Sequence, residues 1–179
     1  MTCKICRKRR PRRFCPGVRG DICPICCGTE REVTVECPLE CEYLQDARKH
    51  EKPSALDPDQ LPNKDVRVTE DFLGRQAELV AFAGRTLAEV TLGTPGAVDN
   101  DAREALEAMV RTYRTLESGL VYQSRPSNLV AARIQQYFEQ ALQQFQQQLR
   151  ERLGMETIRN TDLLGVLVFF QRLESADHN

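Results

Sequence analysis

Cys23-Pro24-Ile25-Cys26-Cys27-Gly28 is the stretch whose reading decides the first quarter of the chain. Outward from it lie Cys3-x2-Cys6 and Cys15 on one side and Cys37-x3-Cys41 on the other, and with these all eight cysteines of the 179-residue chain are placed. A Cys-x2-Cys turn folds both thiolates toward one tetrahedral ion, and zinc takes four such ligands at about 2.3 Å. Pro24 presets the turn, and Gly28 supplies a permissive backbone that lets amides point at sulfur. Cys37-Pro38-Leu39-Glu40-Cys41 reads as a helix start: proline suits the first helical position, and cysteines at i and i+4 then share a face.

The competing uses of dense thiols are disulfides, iron–sulfur clusters, redox pairs and inert buried groups. Met1-Thr2-Cys3 opens with no basic-then-apolar leader, and the apolar run 166–170 is too short to span a bilayer. The expectation is a cytosolic chain without a membrane segment, where stable disulfides are rare. The ferredoxin run of closely spaced cysteines is absent, and no βαβ pattern surrounds either Cys-x2-Cys. Eight thiolates then make two four-cysteine zinc sites. The favoured pairing places Cys3, Cys6, Cys23 and Cys26 on one ion and Cys15, Cys27, Cys37 and Cys41 on the other, because adjacent Cys26 and Cys27 point apart. Other pairings stay open, and His50 is a ninth candidate that could replace one thiolate.

The segment resembles the cross-braced and treble-clef zinc fingers, the HIT-type finger being nearest. Cys3-Lys4-Ile5-Cys6, Phe14-Cys15-Pro16, the knuckle at 23–28, and Cys37 and Cys41 with His50 downstream carry the resemblance. It departs from that finger where a lone Cys15 replaces the second cysteine pair, and in its closing Cys-x3-His spacing. Such fingers mostly serve as interaction modules, so the resemblance implies binding rather than catalysis.

Charge is unevenly spread. Lys4, Arg7, Lys8, Arg9, Arg10, Arg12, Arg13 and Arg19 give residues 1–20 a formal charge of +8 with no acid, although the chain as a whole is −1. A basic knot on a rigid finger is an electrostatic footprint for phosphate, with Lys8, Arg9, Arg10, Arg12 and Arg13 as the contacting residues. The competing reading is local: each four-thiolate zinc site carries −2, and nearby arginines offset that field. Phe14 is the one aromatic in the basic stretch.

Val33 and Val35 alternate with polar residues, which predicts a short strand there, and residues 40–51 continue as a helix with Tyr43, Leu44 and Ala47 on one face. About fifty residues with so few large apolar groups need metal to hold a core. Pro53, Pro58 and Pro62 mark residues 52–68 as a semi-extended linker.

From Thr69, an N-cap, the chain reads as four amphipathic helices. The first carries Phe72, Leu73, Leu79, Val80, Ala83, Leu87 and Val90 and stops at Gly93. The second starts at Asp99 or Asp101 and carries Ala102, Leu106, Met109, Val110, Tyr113, Leu116 and Leu120. The third, capped by Ser127 and ending at Gly154, carries Leu129, Val130, Ile134, Tyr137, Phe138, Ala141, Leu142, Phe145, Leu149 and Leu153. The fourth, capped by Thr161, carries Leu163, Leu164, Leu167, Val168, Phe170 and Leu173. The glutamines of the third helix lie mostly off its stripe and read as a solvated face, while a half-exposed Phe169 points to self-association. The expected architecture is mainly α: a zinc-stabilised finger at 1–51 built from a short strand and a helix, the linker at 52–68, and a four-helix up-down bundle at 69–175.

Catalytic constellations are scarce, with His50 and His178 the only histidines, and a four-thiolate zinc site has no open position for a substrate. The expected function is therefore not enzymatic: an interaction adaptor with a protein partner. The alternative is a nucleic-acid-binding finger using residues 7–13, and the third reading is a redox or zinc-release sensor.

Overall fold

In the computed structural model, which describes residues 2–51, 61–154 and 158–177, the chain is mainly helical with a small two-stranded sheet near its N-terminus. It divides into two units: Met1–Glu51 with Pro95–Asp99, and Lys52–Thr94 with Asn100–Asn179.

In the first unit, β1 (Arg13–Cys15) and β2 (Gly20–Ile22) pair antiparallel, with Arg13 opposite Ile22 and Phe14 opposite Asp21. Lys4 holds the hairpin tip, its Nζ donating to the carbonyls of Val18 at 2.8 Å and Arg19 at 3.0 Å. The knuckle is a helix start: α1 (Pro24–Glu30) has Cys23 as its N-cap and Pro24 in its first turn. Gly28 lies inside this helix with open space around its Cα, so the permissive backbone expected of it is not used. The strand expected at Val33 and Val35 does not form. The carbonyl of Glu30 instead accepts from the amides of Val33, Thr34 and Val35, which leaves no regular ladder beyond one bridge between Arg31 and Val35. The helix expected to start at Cys37 starts later: α2 spans Glu42–Arg48, with Cys41 as its N-cap. Cys41 N–H closes a turn on Pro38 O at 2.8 Å, so Cys37 and Cys41 are not helical i, i+4 neighbours.

Residues Pro95–Asp99 complete this unit. Leu39 N–H donates to Ala97 O at 2.9 Å, and both residues are buried. The Glu40 carboxylate accepts from Gly96 N–H, and Arg48 joins Glu32 at 2.5 Å and also Asp99.

The second unit is built from α3 (Glu70–Arg75), α4 (Ala77–Leu92), α5 (Asp99–Glu117, Asp99 itself belonging to the first unit), α6 (Leu129–Leu153) and α7 (Asn160–Asp177). Thr69 is the expected cap, its hydroxyl accepting from Phe72 N–H at 3.1 Å. The first long helix is broken at Gln76, just after Gly74, a poor helix former. The Phe72 ring lies so close to Gly165 that a Cβ there would come within 2.6 Å of it. Asn128, not Ser127, caps α6, accepting from Val130 N–H at 2.9 Å, and Gly154 ends it in the left-handed region at φ 70°. The start of α7 at Asn160 precedes Thr161, which is therefore no cap.

One apolar core joins four helices: Leu79, Phe82 and Leu87 of α4, Met109 and Val110 of α5, Phe138 and Leu142 of α6, and Leu163, Leu164, Leu167 and Val168 of α7. Phe82 stacks on Phe145 with centroids 4.1 Å apart. Residues 162–168 are all buried, so α7 is enclosed there and not amphipathic as expected. Leu120, Leu129, Tyr137 and Leu173 fall outside the core and are exposed. Among the helix's glutamines Gln135 is the buried exception, donating to Ser124 O and Glu139 Oε1.

Of the expected linker, 52–60 lies outside the described residues. Pro62, Asn63 and Val66 offer their carbonyls to the Arg172 guanidinium at 2.7–3.2 Å, and Arg114 grips Asp65 with two bonds of 2.8 Å. That part is bonded into the helical unit. No helix among the described residues is long and apolar enough to cross a membrane.

Candidate metal centre

Three pieces of backbone deliver four sulfurs to one place. The turn from Cys3 to Arg7 closes with Arg7 N–H on Cys3 O at 2.8 Å, and Arg7 adopts φ 55° to make it. Lys4 N–H bonds to Asp21 O at 2.9 Å, which ties that turn to β2. Cys23 follows β2 directly, and one turn of α1 brings Cys26 back beside it. The Sγ atoms of Cys3, Cys6, Cys23 and Cys26 consequently all lie within 4.8 Å of one another. A tetrahedron of 2.3 Å zinc–sulfur bonds has edges of about 3.8 Å, so the quartet needs only a small contraction to close on an ion. Cys3, Cys23 and Cys26 are buried and Cys6 is half-buried.

The surroundings are arranged for negative sulfur. Cys23 N–H donates to Cys3 Sγ at 3.2 Å, Cys26 N–H to Cys23 Sγ at 3.5 Å, and the Arg9 guanidinium reaches Cys23 Sγ at 4.0 Å. Burial pushes the Cys3 thiol up, but the backbone amides of Cys23, Cys6 and Ile5 outweigh it and bring the thiol down to about 6. The Cys26 amide, opposed by burial and helped by Arg9, lowers Cys23 as well. Cys26 takes the opposite course: burial, then the neighbouring sulfurs of Cys23, Cys6 and Cys3, push it up to about 12. The bare quartet thus sets a lowered Cys3 thiol beside a raised Cys26 thiol, and a dication among the sulfurs would favour the charged form of all four.

No family model, curated protein or solved structure matches this chain.

The other four cysteines do not form such a group. Cys15, Cys27, Cys37 and Cys41 border one cavity of about 10 Å³ alongside Val35 and Leu44. Among the described residues, no group of three or more cysteine, histidine or acidic side chains besides the first quartet comes together in metal-binding range. Burial raises the Cys37 thiol, and the charges of Cys15 and Cys41 add to it, while the Glu32 backbone opposes. His50 is exposed beyond the end of α2 and joins no cluster.

The basic segment is divided by its own geometry. Arg9 faces Cys23, and Arg13 donates to Cys27 Sγ at 3.6 Å with its guanidinium 4.3 Å over the Tyr43 ring. Lys8, Arg10 and Arg12 are exposed. Sequence reasoning did not single out Tyr43 as Arg13's platform. Residues 95–99 were missed as part of this unit because Gly93-Thr94-Pro95-Gly96 carries a stop signal for α4 and nothing more.

Proposed function

We propose that the N-terminal unit is a zinc-braced binding module and that the chain works as an adaptor for a protein partner. The observation that carries the reading is the convergence of the Cys3, Cys6, Cys23 and Cys26 sulfurs within 4.8 Å. Four thiolates complete a tetrahedral zinc ion and leave no position for water or substrate, so its work there is structural. What the unit then offers is a braced surface. A second ion belongs to Cys15, Cys27, Cys37 and Cys41, supported by the one cavity that all four border. Binding there draws the four sulfurs together, as structural zinc sites commonly couple to local folding.

Metal analysis of the purified chain tests this directly. Two zinc ions per chain are expected, falling to one in Cys37→Ala and staying at two in His50→Ala. One ion in the unmodified chain, lost in Cys23→Ala, removes the second site and keeps the first. A folded N-terminal unit with no metal overturns the reading.

A further inference from the structure

Residues 10–15 alternate in exposure. Arg10, Arg12 and Phe14 are exposed, Pro11 and Arg13 are half-buried, and Cys15 is buried. The ladder of β1 reaches back to Arg12, whose N–H donates to Ile22 O at 3.0 Å. Arg10 and Arg12 precede β1, and what gathers them with Phe14 is one open concavity that all three border. Half-buried Arg13 is held on Cys27 and Tyr43. The Arg10 and Arg12 side chains make no hydrogen bond or ion pair among the described residues, and Phe14 is 63% exposed. Pro11, Arg13 and Asp21, the last directly across the ladder from Phe14, complete the lining of this concavity of about 400 Å³.

We propose that this face binds single-stranded nucleic acid, with Arg10 and Arg12 on successive phosphates and Phe14 stacked on a base. The inference rests on the metal-braced reading, because Cys15 ends the strand and Arg13 is anchored on Cys27. A guanidinium fork matches phosphate oxygens in two parallel bonds. A bare aromatic on a sheet face stacks on any base, whereas a duplex keeps its bases covered. The order of groups separates this ligand from an acidic peptide. Charge attraction lies at the Arg10–Arg12 end, while Asp21 stands beside Phe14 at the other. A carboxylate-rich peptide meets repulsion there. A nucleotide chain presents a base, whose N–H groups can donate to Asp21.

The test uses the full zinc-loaded chain and labelled oligo-uridine, oligo-thymidine and a duplex of equal length, titrated across a salt series with zinc content measured on every sample. Single strands should bind more tightly than the duplex. Arg10→Ala with Arg12→Ala should flatten the slope of log K against log salt by about 1.4, at about 0.7 per phosphate contact. Phe14→Ala should weaken binding roughly 5- to 150-fold with the slope unchanged, and Phe14→Tyr should restore it. Four results overturn the proposal: no single-strand binding by zinc-loaded protein, equal duplex binding, an indifferent Phe14→Ala, or displacement by polyglutamate at equal charge. The first leaves the metal reading standing. Zinc-free protein that binds in the expected pattern supports the face and counts against the metal.

Discussion

The two units are held by different means. In the helical unit, Phe82, Met109, Phe138, Leu142, Leu163 and Leu167 come from four helices and bury against one another. In the N-terminal unit, the buried cluster among the described residues is mainly sulfur: Cys3, Cys15, Cys23 and Cys26 with Ile22 and Val35, while Leu39 and Leu44 are buried outside it. Burying a large apolar side chain stabilises by about 1.5–3 kcal/mol, so one unit gathers its stability from many small increments. The other concentrates it in a few polar centres. A core of many parts tolerates the loss of one, whereas a cysteine quartet that closes on metal, as proposed for this unit, fails as a whole.

The sharpest way to break this contrast is to remove the metal. A strong chelator should unfold residues 2–51, since structural zinc contributes about 10–16 kcal/mol to comparable small domains. Amide exchange in this segment should rise to unprotected rates while α4, α6 and α7 stay protected. Protection of the Cys3 and Cys23 amides that survives chelation contradicts the contrast.

The reverse experiment comes next in size. Phe138→Ala removes a fully buried ring that touches Phe82, and should cost about 3–5 kcal/mol in the helical unit. Zinc content should not change. A loss of metal in this variant shows that the two units do not fail separately.

How far each unit was legible follows the same divide. Helix periodicity and end signals are local, so Thr69, Gly93 and Gly154 marked true ends, and most of the apolar stripes became core. The break at Gln76 and the enclosure of α7 were not legible, because they depend on neighbours: Phe72 meets Gly165, and residues 162–168 are covered on every side. In the N-terminal unit, Cys-x2-Cys spacing announced the first quartet, since both pairs are short-range. The β-hairpin was missed because Arg13-Phe14-Cys15 and Gly20-Asp21-Ile22 are too short for an alternating pattern to stand out. Val33 and Val35 were misread because the Glu30 carbonyl captures the backbone amides that a strand would need.

The smallest effect tests the helical unit's polar fastening. The Arg114 side chain holds the Asp65 carboxyl below its ordinary range, against a smaller opposing effect of burial. A depressed carboxylate stabilises the fold fully above its unfolded value of about 3.9, and that contribution is lost as pH falls through the lower folded value. Melting followed by far-UV helicity should therefore separate the native chain from Asp65→Asn at pH 5, with the native chain slightly higher, and the two curves should converge in stronger acid. A constant difference across the range means that the fastening is not ionic.

Residues Pro95–Asp99 carry a consequence for inheritance. The N-terminal unit is not one continuous stretch: Leu39 needs the Ala97 carbonyl, and Arg48 needs Asp99, which arrive after α4 has been made. A gene fragment ending at Glu51 encodes every cysteine yet leaves those bonds unmade. The N-terminal unit is thus not a cassette that recombination can move intact to another protein, and its cysteines are expected to travel through descent with α4 and the start of α5 attached.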